Sequence, residues 1–485
     1  MTDNIIRFIQ HGKIRELNLQ KEQLPPTTTV LNFLRQSPLH RGTKEGCAEG
    51  DCGACTVVIT ETDPTGRLSY TAIDSCLVFL PMLHGKQLLT IEDLRKNSAG
   101  SDELHPLQQA MVDCNGTQCG YCTPGFAMSL LALQKQPVTP TRTVIEDALT
   151  GNLCRCTGYR SILDAAALAC TEKKQKDDFD EQEELTLLQL ATLRQSTADL
   201  SIAVGEQRYY RPVSLNQALT IKKNESDCMV FSGATDLALR VTKRHEKLHK
   251  LLDLGGIDEL RTIENDGKSV RIGACTTLEN LRNNLRQQYP ALCEMLDVFG
   301  SRQIRSLATL GGNIGSASPI GDTLPVLFAY DARIELQNTA GKRELPIKEF
   351  ITGYRQTALQ PDELITAVIL PETNPKEIVR SYKVSKRKDL DISTVSGGFR
   401  LLLENDTVVA ITLAFGGMAA KTECATSAEA FLIGKKWKRE TIEAAAALIR
   451  SQFKPLSDAR SGAEFRSLAA GNLLLKFWTE TTAKS

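Results

Sequence analysis

The sequence predicts an α+β protein of several domains, on three observations. Its 485 residues exceed the ~150 of one typical domain and allow about three. Strand-type alternation dominates up to about residue 92, and helical periodicity follows to about residue 170. Strands and helices mix through the rest of the chain. We therefore expect a small β unit, a helical unit, a large α/β unit and a smaller α+β unit at the C-terminal end.

Composition excludes several classes of protein. Lys+Arg and Asp+Glu both number 58, so the formal net charge is zero and neither nucleic acid nor anionic lipid is favoured as a partner. The best apolar run, residues 76–80, stops at Pro81, far short of the ~18 residues that cross a bilayer. The first residues lack the layout of a secretory signal. We expect a cytoplasmic protein.

Residues 1–92 form the predicted β unit. Apolar alternation on both sides of His11 and Gly12 predicts a β-hairpin, and an amphipathic stretch follows at residues 30–34. Strands are predicted at 56–60 and 68–72, with a turn at Asp63–Gly66 between them.

Residues 93–170 form the predicted helical unit. Thr123 and Pro124 are typical of an N-cap and a first helical position. A second helix is expected to open at Thr139–Pro140 and to end at Gly151–Asn152, and a third spans 161–170. Residues 171–204 are predicted as a linker, because the run 172–184 carries almost no apolar residue.

The remaining residues divide at Pro371–Pro375, which marks a plausible break. Glycine turns recur through residues 205–374, as in a large α/β domain. Residues 375–485 are predicted to form a smaller domain, with a strand at 407–414 followed by C-terminal helices.

Eight of the fourteen cysteines fall in two groups, and the first has the spacing C-x4-C-x2-C with a distant fourth member. Two irons and two sulfides need four converging thiolates, and this spacing is that of plant-type 2Fe–2S ferredoxins. Three glycines in the loop, at positions 46, 50 and 53, permit a bend that aims backbone N–H groups at sulfur. A zinc site remains an alternative, because C-x2-C is ordinary for zinc. The expected metal ligands are Cys47, Cys52, Cys55 and Cys76.

The second group combines a C-x2-C before one helix with a C-x-C after another. Four thiolates at helix ends can hold a second 2Fe–2S cluster, whose negative charge the helix dipole favours. Structural zinc fits C-x-C poorly, and a thioredoxin-type pair lacks its βαβ context. The expected ligands here are Cys119, Cys122, Cys154 and Cys156.

In this order, the two motifs resemble the iron–sulfur part of the xanthine dehydrogenase family of molybdenum hydroxylases, over residues 5–170. The resemblance implies a β-grasp, plant-type ferredoxin domain followed by a helical-bundle 2Fe–2S domain. It also implies that Gln118, beside Cys119, hydrogen-bonds the pterin of a partner subunit.

From spacing alone, the second half offers only glycine loops at 231–236 and 309–314, which are either tight turns or phosphate cradles. Comparison with the same family adds two resemblances. The segment 303–314, with Ser318-Pro319, resembles the family's FAD-binding domain. Arg387, with residues 391–393, resembles a segment that closes over the flavin. Residues 414–417 and 429–434 resemble the domain that follows. The implied FAD-binding residues are Gly233, Thr235, Thr309, Gly311, Gly312, Asn313, Ile314, Ser318, Asp322 and Lys383.

Two further residues have open roles. Phe299 matches an aromatic residue near the flavin in relatives, although a plain core position is equally compatible. Arg305 suits an anionic cofactor, although a solvated surface charge is the commoner place for a lone arginine.

The resemblance implies an electron-transfer subunit that contains no molybdenum domain. Electrons would pass from a large molybdenum–pterin partner through both clusters to FAD and then NAD, during oxidation of hypoxanthine and xanthine to urate, in a higher hetero-oligomer. Three alternatives remain: a subunit of an aldehyde or heterocycle hydroxylase, a stand-alone flavin reductase, and a structural zinc protein.

Overall fold

The computed structural model describes residues 4–94, 104–137, 140–171, 177–195 and 199–482. It divides into two compact units. Unit 1 comprises Met1–Val213, Asp227–Gly256 and Ser301–Ala308. Unit 2 comprises Ser214–Ser226, Ile257–Gly300 and Thr309–Ser485.

Strands and helices alternate in blocks along the described residues, which confirms the predicted α+β class. The strands are β1 (Ile5–Gln10), β2 (Lys13–Asn18), β3 (Thr56–Thr62), β4 (Leu68–Asp74), β5 (Gln87–Leu89), β6 (Leu200–Val204), β7 (Gln207–Arg211), β8 (Met229–Phe231), β9 (Lys250–Asp253), β10 (Ile263–Asn265), β11 (Ser269–Gly273), β12 (Arg333–Asn338), β13 (Gly341–Pro346), β14 (Ile351–Gly353), β15 (Gln356–Thr357), β16 (Leu364–Pro371), β17 (Glu377–Val384), β18 (Val395–Glu404), β19 (Thr407–Gly416) and β20 (Glu423–Cys424). The helices are α1 (Val30–Gln36), α2 (Pro106–Asp113), α3 (Thr123–Gln134), α4 (Arg142–Leu149), α5 (Arg160–Thr171), α6 (Asp178–Glu181), α7 (Glu183–Gln195), α8 (Leu215–Asn224), α9 (Leu237–Thr242), α10 (Leu278–Asn284), α11 (Pro290–Asp297), α12 (Arg302–Arg305), α13 (Leu310–Ser316), α14 (Thr323–Ala329), α15 (Ile347–Phe350), α16 (Thr426–Leu432), α17 (Arg439–Gln452) and α18 (Ala463–Thr482).

The first part of unit 1 is a five-stranded sheet in the order β2-β1-β5-β3-β4. β1 pairs with β5 in parallel, and the other neighbours are antiparallel. Both predicted hairpins are confirmed. The turn between β3 and β4 closes because the carboxylate of Asp63 accepts hydrogen bonds from the N–H groups of Thr65 and Arg67 at 2.8 and 3.0 Å.

The second part of unit 1 contains α2 to α5, in agreement with the predicted helical domain. Residues 125–133 of α3 are all buried, as befits a central helix in a bundle. Two helix starts differ from the prediction. Cys122, rather than Thr123, is the N-cap of α3, and Thr141 caps α4 two residues after the expected start.

The described part of the expected linker contains the helices α6 and α7 and the strand β6 instead. Asp177 caps α6 through a capping box, and Leu190 and Leu193 of α7 pack against Ile9 of β1. The charged run 172–184 gave no sign of these helices in the sequence. One of its acidic residues is an N-cap, and the apolar residues of α7 begin only after the run ends. Residues 172–176 and 196–198 of the expected linker lie outside the described residues.

A second, four-stranded sheet of unit 1 has the order β6-β7-β9-β8. It shares one apolar core with the five-stranded sheet, and the rings of Phe79 and Phe231 meet edge-on at 5.9 Å. Burying each such side chain contributes about 1.5–3 kcal/mol. This shared core explains why residues 205–256, which the sequence places with the flavin domain, mostly belong to unit 1.

Unit 2 contains a five-stranded antiparallel sheet, β10-β11-β16-β12-β13, and a four-stranded one, β17-β18-β19-β20. The second sheet packs with α16 to α18 around an aromatic core in which Phe399 lies 5.1 Å from Phe415 and 5.6 Å from Phe477. The predicted strand at 407–414 is confirmed as β19. Among the described residues, no helix combines the length and hydropathy that crossing a membrane requires.

Candidate cofactor sites

The first cysteine group is brought together at one end of the β3–β4 hairpin. Cys47 and Cys52 lie in the loop before β3, and Cys55 immediately precedes that strand. Register pairs Thr56 with Asp74, so the short turn that follows β4 places Cys76 beside Cys55. All four predicted ligands therefore reach one place.

The four thiols lie in two hydrogen-bonded pairs, Cys47 with Cys52 and Cys55 with Cys76. The bond from Cys52 lowers the pKa of Cys47 to about 5. In the second pair, the hydrogen bond between the two thiols lowers the pKa of Cys55 and raises that of Cys76, and burial raises the pKa of Cys76 further. The group thus has the thiol density of a metal site.

The loop's backbone faces the sulfur atoms as expected. The N–H groups of Glu49 and Asp51 both donate to Sγ of Cys47 at 3.4 Å. A Cβ at Gly46 would come within 2.7 Å of Sγ of Cys52. The loop can therefore wrap closely around a cofactor only with glycine at that position.

Asp74 is a neighbour of this group that the sequence patterns did not reveal. Its carboxyl is fully buried, and the thiol of Cys55 donates to it at 3.8 Å. Burial raises the pKa of Asp74 well above its usual range, and the nearby thiols raise it further. A single acidic residue at the end of a strand carries no recognisable motif, so only the fold could identify it.

The second group joins the start of α3 to the segment after α4. Its thiols again form two pairs, Cys119 with Cys156 and Cys122 with Cys154. The hydroxyl of Thr157 lies 3.2 Å from Sγ of Cys154. The N-terminal end of α3, where the helix dipole favours negative charge, is thus part of this site.

The pairing of the thiols bears on which of the two predicted kinds of metal site fits. A structural zinc ion would need all four thiolates around one atom. A 2Fe–2S cluster contains two irons and binds four thiolates, so two adjacent pairs fit it. Both groups have this arrangement.

Most of the predicted FAD residues lie around α13 in unit 2. Thr309 is the N-cap of α13, and its hydroxyl accepts from the N–H of Gly312 at 3.2 Å. Asn313 accepts from the hydroxyl of Thr323 at 2.6 Å. Gly311 packs against Ala274, where a Cβ would come within 2.6 Å of the alanine Cβ. Ile314 is fully buried.

Lys383 and Asp322 form a buried ion pair in the same unit. The lysine Nζ lies 3.0 Å from Oδ2 of Asp322 and donates to the carbonyl of Val298 at 2.9 Å. Oδ1 of Asp322 is buried and accepts no hydrogen bond from the described residues. A buried acceptor without a donor is costly, so this atom suits a ligand hydroxyl or N–H. Ser318 lies in the loop that leads to Asp322, with the carbonyl of Ser318 accepting from the N–H of Gly321.

Gly233 and Thr235 lie in unit 1, in the loop after β8. A Cβ at Gly233 would overlap the carbonyl oxygen of Leu307, so packing alone accounts for glycine there.

Arg305 differs from the expectation. Its side chain is fully buried in unit 1, where it pairs with Asp147 of α4 at 2.8 Å. A buried guanidinium needs a nearby carboxylate, and α4 supplies it. The residue is therefore neither a surface charge nor a ligand for an anionic cofactor. Phe299, by contrast, is partly buried in unit 2.

Four domain families match the chain in consecutive order. They are a 2Fe–2S iron–sulfur cluster binding domain at residues 16–77 and a 2Fe–2S binding domain at 90–167. An FAD binding domain in molybdopterin dehydrogenase follows at 203–373, and a CO dehydrogenase flavoprotein C-terminal domain at 380–481. The chain thus contains domains for both predicted cofactor types.

Whole-chain similarity agrees with this domain order. Xanthine dehydrogenase of Emericella nidulans is 34% identical over 90% of this chain, and that of Oryza sativa subsp. japonica is 32% identical over 94%. The chain spans 35% and 38% of these relatives. A carbon monoxide dehydrogenase structure from Hydrogenophaga pseudoflava aligns with a TM-score of 0.54 and 26% identity, over 56% of this chain and 95% of that one. Together with the two cysteine quartets, these matches identify the chain as the iron–sulfur and FAD-binding portion of a molybdenum hydroxylase.

Proposed function

We propose that this chain is the electron-transfer subunit of a cytoplasmic xanthine dehydrogenase, acting with a separate molybdenum–pterin subunit. The two quartets of paired thiols are the observation that carries the proposal. Identity of 34% and 32% to two xanthine dehydrogenases, over 90% and 94% of this chain, supports the assignment to that enzyme.

The chain's own residues would hold and orient three cofactors. Cys47, Cys52, Cys55 and Cys76 would hold one 2Fe–2S cluster, and Cys119, Cys122, Cys154 and Cys156 would hold the other. When bound, such clusters carry electrons singly, and FAD collects them in pairs for transfer to NAD as hydride. Asp322 would accept a hydrogen bond from FAD while Lys383 neutralises its charge, and the loop at Thr309 would provide backbone N–H groups.

The exposure of the thiols supports an order for the two clusters. Cys119 and Cys156 are exposed, whereas Cys55 and Cys76 are buried. Electrons from a partner subunit would therefore enter at the second quartet, with Gln118 at the interface. The first quartet, two of whose thiols are buried, would come next in the sequence of centres.

Oxidation of a purine is favoured over the other reactions of the family, because the relatives that match 90% and 94% of this chain at 34% and 32% identity are xanthine dehydrogenases. The aligned carbon monoxide dehydrogenase matches 56% of this chain at 26% identity. Another molybdenum hydroxylase subunit is the second candidate, because that alignment covers nearly all of the solved chain.

The proposal is tested by the cofactor content and activities of the purified chain. We expect about four irons per chain, as two 2Fe–2S clusters require, and one FAD. The chain alone should oxidise NADH with an artificial dye but should not oxidise xanthine; both activities should be present when the molybdenum subunit is co-expressed. Zinc in place of iron, or xanthine oxidation by the chain alone, would contradict the proposal.

The order of centres is tested by Cys156→Ser in the complex, with Cys114→Ser as its matched control. Cys114 is a half-buried cysteine of the same domain that belongs to neither quartet. Cys156→Ser should greatly reduce xanthine-driven reduction of NAD and leave NADH–dye activity near the wild-type rate. Equal loss of both activities would refute this order, and Cys114→Ser should change neither.

A further inference from the structure

A closed triangle of buried hydrogen bonds joins Ser129, Asn152 and Gln303 in unit 1. The hydroxyl of Ser129 donates to Oδ1 of Asn152 at 2.7 Å, and Nε2 of Gln303 donates to both, at 3.1 and 3.0 Å. None of the three is more than 2% exposed. Hydrogen bonds between polar groups at such depth favour one packing arrangement, and here they engage the Nε2 of Gln303, whereas its buried Oε1 accepts none from the described residues.

Asn152 extends the triangle to the first quartet. Its Nδ2 donates to the carbonyl of Gly53 at 3.1 Å and to the hydroxyl of Thr56 at 3.2 Å. Gly53 lies between Cys52 and Cys55, whereas Asn152 itself is two residues from Cys154. One side chain thus connects the loops of both quartets.

Gln303 reaches the triangle from a segment that belongs, by sequence, to the FAD-binding domain. The segment fits closely, because a Cβ at Gly151 would overlap the side chain of Gln303. Two residues later, Arg305 pairs with Asp147 of α4. α12 is therefore fastened to the helical domain by one amide and one guanidinium.

We propose that Gln303, acting through Asn152, is a positioning residue that fixes the separation of the two cluster sites. This inference rests on the proposed function, since it requires a cluster in each quartet. The rate of electron transfer between two centres falls steeply as the distance between them increases. Hydrogen bonds that prevent the two iron–sulfur domains from shifting would therefore keep that rate unchanged.

The test uses Gln303→Met in the full chain, with Gln207→Met as its matched control. Methionine keeps the length of glutamine but cannot make the hydrogen bonds. Gln207 is also a buried glutamine of unit 1, whose Nε2 donates to the carbonyl of Leu248 at 2.7 Å, and it touches neither quartet's loop. Ser129→Ala is the milder second variant, because it removes only one hydroxyl from the triangle.

The readout is the magnetic splitting between the two reduced clusters in low-temperature electron paramagnetic resonance, measured on samples of equal iron content. We expect Gln303→Met and Ser129→Ala to decrease or broaden this splitting, while Gln207→Met retains the wild-type spectrum. Wild-type splitting in both triangle variants would overturn the inference and leave the proposed function intact. A wild-type chain without iron would overturn the proposed function itself.

Discussion

Asp177 is a charged residue that the fold uses in its interior. Its side chain is 9% exposed and lies 2.5 Å from Nζ of Lys135 and 3.3 Å from Nε2 of His105. Burial alone would raise the pKa of Asp177, but the hydrogen bonds from His105 and Lys135 outweigh burial and hold the pKa below its usual range. The carboxylate therefore stabilises the folded state.

Replacement by Asn should show this contribution as a pH-dependent difference in stability. A carboxyl whose pKa is lowered on folding stabilises fully above its unfolded pKa of about 3.9, and the effect is lost as the pH falls toward the folded value. In urea unfolding, the wild type should thus exceed Asp177→Asn by a constant margin at pH 5–7, and by less below about pH 4. A margin that grows on acidification would contradict the assignment.

At this scale, sequence predicted residues that carry a pattern. The eight cysteines form two spaced motifs, and both groups come together in the fold. Asp74 and Arg305 could not be predicted, because their environment comes from residues distant in sequence. Arg305 in particular finds its partner in Asp147, more than 150 positions earlier.

The loop that carries the first three cysteines is the element on which both quartets depend. Gly53 has a φ of +64°, and a Cβ there would overlap the carbonyl of Gly151 and approach Cα of Asn152 at 2.9 Å. The carbonyl oxygen of Gly53 accepts a hydrogen bond from Nδ2 of Asn152 at 3.1 Å. The two cluster domains meet here with no space for a side chain.

Gly53→Ala should therefore destabilise the chain far more than Gly66→Ala. Gly66 has a φ of +84° in the β3–β4 turn, with no heavy atom within 4 Å of the added Cβ. Both variants incur the left-handed backbone cost of roughly 1–2 kcal/mol, but only Gly53→Ala must also push two loops apart. Thermal unfolding and iron content check this result. We expect iron loss in Gly53→Ala alone, and similar effects of the two substitutions would refute the packing argument.

Elements with local signals were predicted well. Hairpins β1–β2 and β3–β4 follow from alternation and turn residues, and α3 and α5 from apolar periodicity. The helices of the expected linker were missed because charge content concealed the buried face of α7. The placement of β6 to β9 in unit 1 was missed because it depends on packing of Phe231 against Phe79, which no local pattern encodes.

Across the whole molecule, iron-dependent stability should be confined to unit 1. Each proposed cluster joins segments separated in sequence, and binding energy at such a site is folding energy. Chain produced without iron should therefore show faster amide hydrogen exchange in β3, β4 and α3 than the iron-loaded chain. The sheet β17 to β20, whose aromatic core contains no cysteine of either quartet, is the internal control. Equal acceleration in that sheet would contradict the prediction.

The order of the two iron–sulfur domains was available from the sequence, because each cysteine motif is typical of one domain. The substrate could not be predicted, because the recognised motifs are patterns of cofactor binding. The division of residues 205–374 between two units likewise required the structure, since only three-dimensional packing reveals which core a strand completes.

The small helix α12 bears on how such enzymes can be recombined. Residues 203–373 look like an exchangeable module by sequence, but Gln303 and Arg305 within them are fitted to Ser129, Asn152 and Asp147 outside them. A chimera that imports a foreign module at these boundaries would bring in unmatched side chains against a buried amide and a carboxylate. Grafts that retain the native 301–308 should assemble where whole-module exchanges fail.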